Sequence, residues 1–188
     1  AGGFIGELCG VRAQLGFPMM QIPRIYDPAL AGGALLDIGV YSLSFVSLVF
    51  GSSPESVVGH LIMSDTGVDM QDDLYLRYPG GRTSSLFNSA IAAVPAMGMV
   101  FGSEGYLVAN ELFSYPGFDL FDRDGKLLQH VDTPVRLNGF EYELEAAVAA
   151  IRGGKTESPQ MTHAETLRIM ELMDAVRKDA GFIYPVER

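Results

Sequence analysis

The residues of this sequence whose types and spacing could do chemistry lie between Arg24 and Tyr41. The run Gly32-Gly33-Ala34-Leu35-Leu36-Asp37-Ile38-Gly39-Val40-Tyr41 sets an acid and a phenol four residues apart. On an α-helix that spacing is one face, so Asp37 and Tyr41 can act together. A carboxylate in so apolar a run costs free energy unless it is hydrogen-bonded, so Asp37 must find a partner or line a polar cavity. Arg24 and Tyr26, just upstream, are placed to offer a cation and a hydroxyl to a polar substrate in the same cavity. The alternative is structural: Asp37 caps the helix start, Tyr41 buries its ring with its hydroxyl satisfied, and Arg24 and Tyr26 decorate the surface.

The remaining candidates are weaker. His60, His130 and His163 are dispersed, and none shares an i, i+4 helical face with another histidine or a cysteine, as a zinc site would require. Cys9 has no His or Asn set beside it and reads as a small apolar residue rather than a nucleophile. No G-x-G-x-x-G follows a strand pattern, and Gly98, Gly102 and Gly105 lack both that spacing and a helix after it. The sequence therefore shows no cradle for nucleotide phosphates.

The elements that must position the candidate residues follow from periodicity. Gly6 to Phe17 alternates partially and predicts a half-buried strand. Pro18 to Gly33, with its prolines and Gly pair, predicts an irregular crossing segment. Leu36, Val40, Leu43, Val46 or Ser47, and Phe50 recur at helical steps, predicting a buried helix over 35–50 that stops at Gly51. The next region gives short apolar runs: 57–63, 74–78, 85–91, 97–101, 106–109 and 127–131. Pro79-Gly80-Gly81, Ser103-Glu104-Gly105 and Asp122-Arg123-Asp124-Gly125 supply hairpin chemistry before three of them. A helix is predicted over 141–152, with Leu144, Val148 and Ile151 on its apolar face and Gly153-Gly154 as its stop. Thr162-His163-Ala164-Glu165 is a capping box opening another helix to Gly181, with Leu167, Met170, Met173 or Asp174, and Val176 or Arg177 at helical spacing. The sum is an α+β chain, one domain over 1–188: a large open, predominantly antiparallel sheet with helices packed on one face. The other face meets solvent or an identical sheet.

Composition bounds the partners. Thirteen Lys and Arg against 23 Asp and Glu leave a formal charge of −10, which repels nucleic acid and anionic membrane surfaces. One cysteine allows no internal disulfide and fits a reducing, cytoplasmic setting. The apolar stretch 34–50 is shorter than a membrane span and is interrupted by Asp37 and three serines. The opening at Ala1, without Met or leader and soon in strand pattern, reads as the start of a fragment.

The Gly32–Tyr41 decapeptide, with Pro23-Arg24-Ile25-Tyr26-Asp27-Pro28 before it, resembles the signature of the glucose-fructose oxidoreductase / inositol dehydrogenase / MocA superfamily. Tyrosine rather than histidine at position 41 is similar to the glucose-fructose oxidoreductase and trans-dihydrodiol dehydrogenase branches. Val11-Arg12-Ala13, Thr66-Gly67-Val68-Asp69, Tyr78-Pro79-Gly80 and Gly181-Phe182-Ile183-Tyr184-Pro185 resemble the latter, so the likeness runs through the whole chain. It implies the C-terminal domain of an NAD(P)-dependent oxidoreductase that acts on a sugar, polyol or diol. The nicotinamide would sit mainly on an N-terminal Rossmann domain missing here, and the open sheet would pair with its copy in a homodimer. Tyr41 would be the general acid/base, Asp37 would orient substrate or Tyr41, and Arg24 and Tyr26 would bind a polyhydroxylated substrate. The family's Glu-Lys-Pro lysine, which would favour the phenolate of a group that otherwise titrates near ~10, has no match at Lys126, Lys155 or Lys178, so the fragment alone should be inactive. Leu15 replaces an aromatic residue of dihydrodiol dehydrogenases, which weighs against aromatic diols as substrates. Non-catalytic ligand sensing, or dimerisation alone, is the alternative role for the same fold.

Overall fold

The structure is a computed structural model that describes residues 3–51, 53–114, 116–134 and 137–187; Ala1, where the fragment reading begins, lies outside them. Eight strands form one sheet in the order β2-β3-β4-β1-β5-β6-β7-β8. They are β1 Leu8–Gly16, β2 Ser56–Met63, β3 Asp69–Arg77, β4 Thr83–Ser89, β5 Val94–Gly102, β6 Gly105–Asn110, β7 Gly117–Asp122 and β8 Leu127–Asp132. Every neighbouring pair is antiparallel except β1 with β4. The connections at Pro79–Gly81, Ser103–Glu104 and Asp122–Lys126 are the three tight turns that the glycine and aspartate clusters predict. Strand β7 went unread in the sequence, because Gly117-Phe118-Asp119-Leu120-Phe121-Asp122 is short and two of its residues are acids.

The helical layer is α1 Val40–Phe50, α2 Phe140–Arg152 and α3 His163–Asp179. Leu43, Phe45 and Val46 of α1 and Ile169, Met173 and Val176 of α3 pack on Val11, Leu74, Leu76, Leu86 and Val100 of the sheet, and this is the main core. The α3 capping box forms: the Thr162 hydroxyl accepts the Glu165 amide at 3.2 Å. The inward face of α3 matches the expected one at Met173, Val176 and Arg177 and departs from it in the first half of the helix. Leu167 and Met170 turn outward and Ile169 turns inward, because α3 meets the sheet edge at β2 and also has to bury Arg177. Helix α2 departs further from expectation. Leu144, Val148 and Ile151, its expected core face, point to solvent, and Ala150 is its one buried residue among those described.

The predicted helix over 35–50 is not uniform. Leu35–Gly39 winds as a π-helix before α1 takes over, and Gly51 ends α1 with its amide on the Ser47 carbonyl. By length and composition the stretch Pro28–Phe50 could cross a membrane, with a mean hydropathy of 1.8 in its most apolar window. Half of that window is buried inside the fold, however, which marks a core helix.

The sheet face opposite the helices is bare. Cross-strand rows set Met99 beside Val108 and Phe101 beside Tyr106, and Tyr106 stacks on Phe121 at 4.9 Å. These residues are half-buried, and Val58, Ile62 and Tyr75 are exposed on the same face toward β2 and β3.

Candidate functional site

A second, smaller core holds the candidate site. Leu15, Ile25, Ala34, Ile38, Val68, Met70, Phe182 and Tyr184 enclose the loop that leads into the π turn. Two glycines make that loop possible. A Cβ on Gly32 would lie 2.5 Å from the carbonyl oxygens of Arg24 and Ile25, so only glycine lets the two chain segments touch. Gly33 has φ +121°, and a Cβ there would meet the Asp69 carboxylate at 2.3 Å.

Asp69 is the acid that holds the helix start. Its Oδ2 accepts the Leu35 amide at 2.6 Å, satisfying a donor that would otherwise be orphaned inside the fold. Burial pushes its carboxyl above the usual range, while the amides of Leu35 and Ala34 and the more distant Arg177 pull the other way. The structural role foreseen for Asp37 thus falls to Asp69, which comes from another strand.

Asp37 has a different partner. Arg24 Nη1 lies 2.5 Å from Asp37 Oδ1, with the arginine side chain 55% exposed and the carboxylate 21%. Among the described residues no hydrogen bond joins Asp37 to Tyr41. The π turn between them changes the rotation per residue, so four residues no longer bring two side chains onto one line. Tyr26 packs at the margin of the second core with its hydroxyl directed to the Met20 sulfur.

Tyr41 is 43% exposed and opens onto a groove of about 420 Å³ lined by Phe113, Phe140, Tyr142, Glu143 and Met161. Phe17 meets Phe113 edge-on at 5.7 Å, while Leu15 lies in the second core. The aromatic character absent at position 15 is therefore present at the margin of the groove, contributed by other positions. The groove has apolar walls with a phenol and a carboxylate at its rim, suited to a molecule with a carbon face and polar edges.

Beneath the turn runs a buried polar chain that the sequence reading missed. Ser42 Oγ donates to Asn88 Oδ1 at 2.5 Å, and Asn88 Nδ2 donates to Asp72 Oδ1 at 2.6 Å. Burial pushes the Asp72 carboxyl up to about 8, against the pull of the Asn88 bond. The available signal was alternation: Met70, Asp72, Leu74 and Leu76 share one strand face, so the acid had to be buried with them.

Residues 1–108 match the model of the GFO/IDH/MocA C-terminal domain. Over 187 residues the chain is 32% identical to a trans-1,2-dihydrobenzene-1,2-diol dehydrogenase of Xenopus tropicalis, covering 96% of this chain and 57% of the relative. The human enzyme of that name is 32% identical over 196 residues, covering 100% of this chain and 58% of its own. A 3-ketoreductase of Actinomadura kijaniata, solved with NADP and TDP-benzene, superposes with a TM-score of 0.81 at 28% identity, over 94% of this chain and 55% of its own. The chain thus spans a little over half the length of these relatives.

Proposed function

The chain belongs to the GFO/IDH/MocA C-terminal-domain family, and from that premise we propose that it is the substrate side of an NAD(P)-dependent oxidoreductase. The substrate would be a sugar, polyol or diol. The observation that carries this reading is Tyr41, exposed at the head of an apolar groove, preceded in the same signature segment by the Arg24–Asp37 pair. Tyr41 exchanges a proton with the substrate oxygen at its phenol, and Arg24 and Asp37 orient neighbouring hydroxyls by charge-assisted hydrogen bonds. Tyr26 supports the Arg24 segment by packing.

These residues do not fit the dinucleotide itself. Among the described residues β1 and its parallel neighbour β4 do not form a strand–turn–helix unit of the dinucleotide-binding kind: β1 runs into the long crossing segment and β4 directly into β5. A nicotinamide accepts or donates hydride, and in this reading it is held by a Rossmann domain outside these residues. The isolated chain is accordingly inactive. The bare face carrying Met99, Phe101, Tyr106, Val108 and Phe121 supports a homodimer formed sheet to sheet. The setting we propose is cytoplasmic, in keeping with a single free, exposed cysteine.

The test is to assay the full-length parent for nicotinamide binding and turnover over a panel of sugars and diols. Turnover of any of them supports the reading; an intact parent that neither binds nor reduces nicotinamide overturns it. Sedimentation of the parent showing monomer alone at low micromolar concentration would remove the dimer.

A further inference from the structure

The C-terminal strap, from Phe182 to Glu187, closes over the loop that presents Arg24 and Asp37. Tyr184, 3% exposed, donates its hydroxyl to the Gly32 carbonyl at 2.5 Å, across 152 residues of sequence. Gly32 is the residue pressed against the backbone of Arg24 and Ile25. A pull on its carbonyl is therefore transmitted directly to the segment that carries the guanidinium.

The strap is itself firmly anchored. Arg177 forms a fork on Glu187, with both contacts at 2.8 Å, and reaches Asp174 at 2.6 Å. Its guanidinium lies 4.7 Å from the Tyr184 ring centre and 5.7 Å from that of Phe182, whose own rings meet at 4.6 Å. The Tyr184 amide donates to Glu187 and the Phe182 amide to the Arg177 carbonyl. These cross-bonds fix the Tyr184 ring, and its hydroxyl points at the carbonyl of Gly32, the residue packed against the backbone of Arg24 and Ile25.

We propose that Tyr184 is a positioning residue for the substrate-orienting pair. Through the Gly32 carbonyl it holds the Arg24 segment where the guanidinium meets Asp37. The proposal rests on the oxidoreductase reading for its consequence in turnover, but its geometric core does not. While Asp69 grips the helix side of the Gly32–Gly33 turn through Leu35, Tyr184 grips the loop side.

The experiment uses the full-length parent with Tyr184→Phe, which keeps the ring between Arg177 and Phe182 and removes only the donor. The expected result is a KM for the accepted sugar or diol raised about tenfold, with kcat within about threefold, because binding orientation is lost while Tyr41 is untouched. Added to Asp37→Asn, the substitution should raise KM no further. A role confined to stability would lower the active fraction, and with it the apparent kcat, and leave KM at its original value; that outcome overturns the proposal, as does full additivity with Asp37→Asn. Should Tyr184→Phe not fold, Glu187→Gln, which slackens the same strap from outside, is expected to raise KM in the same way, and an unchanged KM there overturns it too. A crystal structure of the variant parent separates the two readings. If the intact parent neither binds nor reduces nicotinamide with any sugar, polyol or diol, the oxidoreductase reading fails, and an Arg24–Asp37 pair still closed in the variant refutes the positioning role independently.

Discussion

Asp37 and Tyr41 sit four residues apart on one continuous helical run and meet opposite surroundings. The π turn is gripped from three sides, by Asp69 on the Leu35 amide, by Arg24 on Asp37 and by Tyr184 behind Gly32. One turn later the helix has left the second core and Tyr41 opens onto a groove. The difference teaches how a reactive side chain is presented: rigidity is concentrated in the residues before it, while the group itself is left accessible.

That comparison breaks most visibly at Tyr41. Tyr41→Phe in the intact parent should lower turnover about 10²–10⁴-fold, the usual weight of a positioned proton donor. Unfolding of the same variant should shift by no more than about 0.5 kcal/mol, as for a partly exposed group with no hydrogen bond among the described residues. A large loss of stability with turnover intact would invert the roles assigned to the two stretches.

Asp69→Ala attacks the gripped side. It leaves the Leu35 amide buried without an acceptor, and denaturant unfolding should report a loss of about 2–3 kcal/mol. If the loss is negligible, the helix start is held by something other than this carboxylate.

Asp72 sharpens the comparison through pH. Its carboxyl rises from the ordinary 3.8 to about 8 in the folded state, so the native protein holds a proton that the unfolded chain releases. Stability from this group is complete below about pH 4, declines as pH rises toward 8 and is level above it. Asp72→Asn keeps the polar chain neutral at every pH, so stability measured by urea unfolding between pH 5 and pH 8 should lose most of this downward slope. An unchanged slope would mean that Asp72 is ionised in the fold.

The smallest effect is expected on α2. Leu144→Ser should change stability by less than about 0.5 kcal/mol, since Leu144 is 67% exposed. A larger loss would place α2 in the core, where its amphipathic pattern predicted it.

Much of the fold was readable because its signals are local. Turn chemistry at Pro79-Gly80-Gly81 and Asp122–Gly125, the Thr162 cap and the Gly51 stop each act within a few residues. The misreadings share a cause. An apolar stripe states that a helix has something to bury but not what it will meet, so the stripe of α2 and the first half of that of α3 pointed to faces that the sheet does not cover. The acids of β3 were passed over because their burial depends on strands and helices distant in sequence.

By itself the sequence determined the α+β class, the hairpins and the segment that carries Arg24, Asp37 and Tyr41, since composition, period and turn residues are properties of short stretches. Only the tertiary structure decided that Asp69 rather than Asp37 holds the helix start, that a π turn separates the acid from the phenol, and that Tyr184 reaches Gly32. Those outcomes depend on which strands and loops become neighbours in space, and a pairing across 152 residues leaves no periodic trace in the chain.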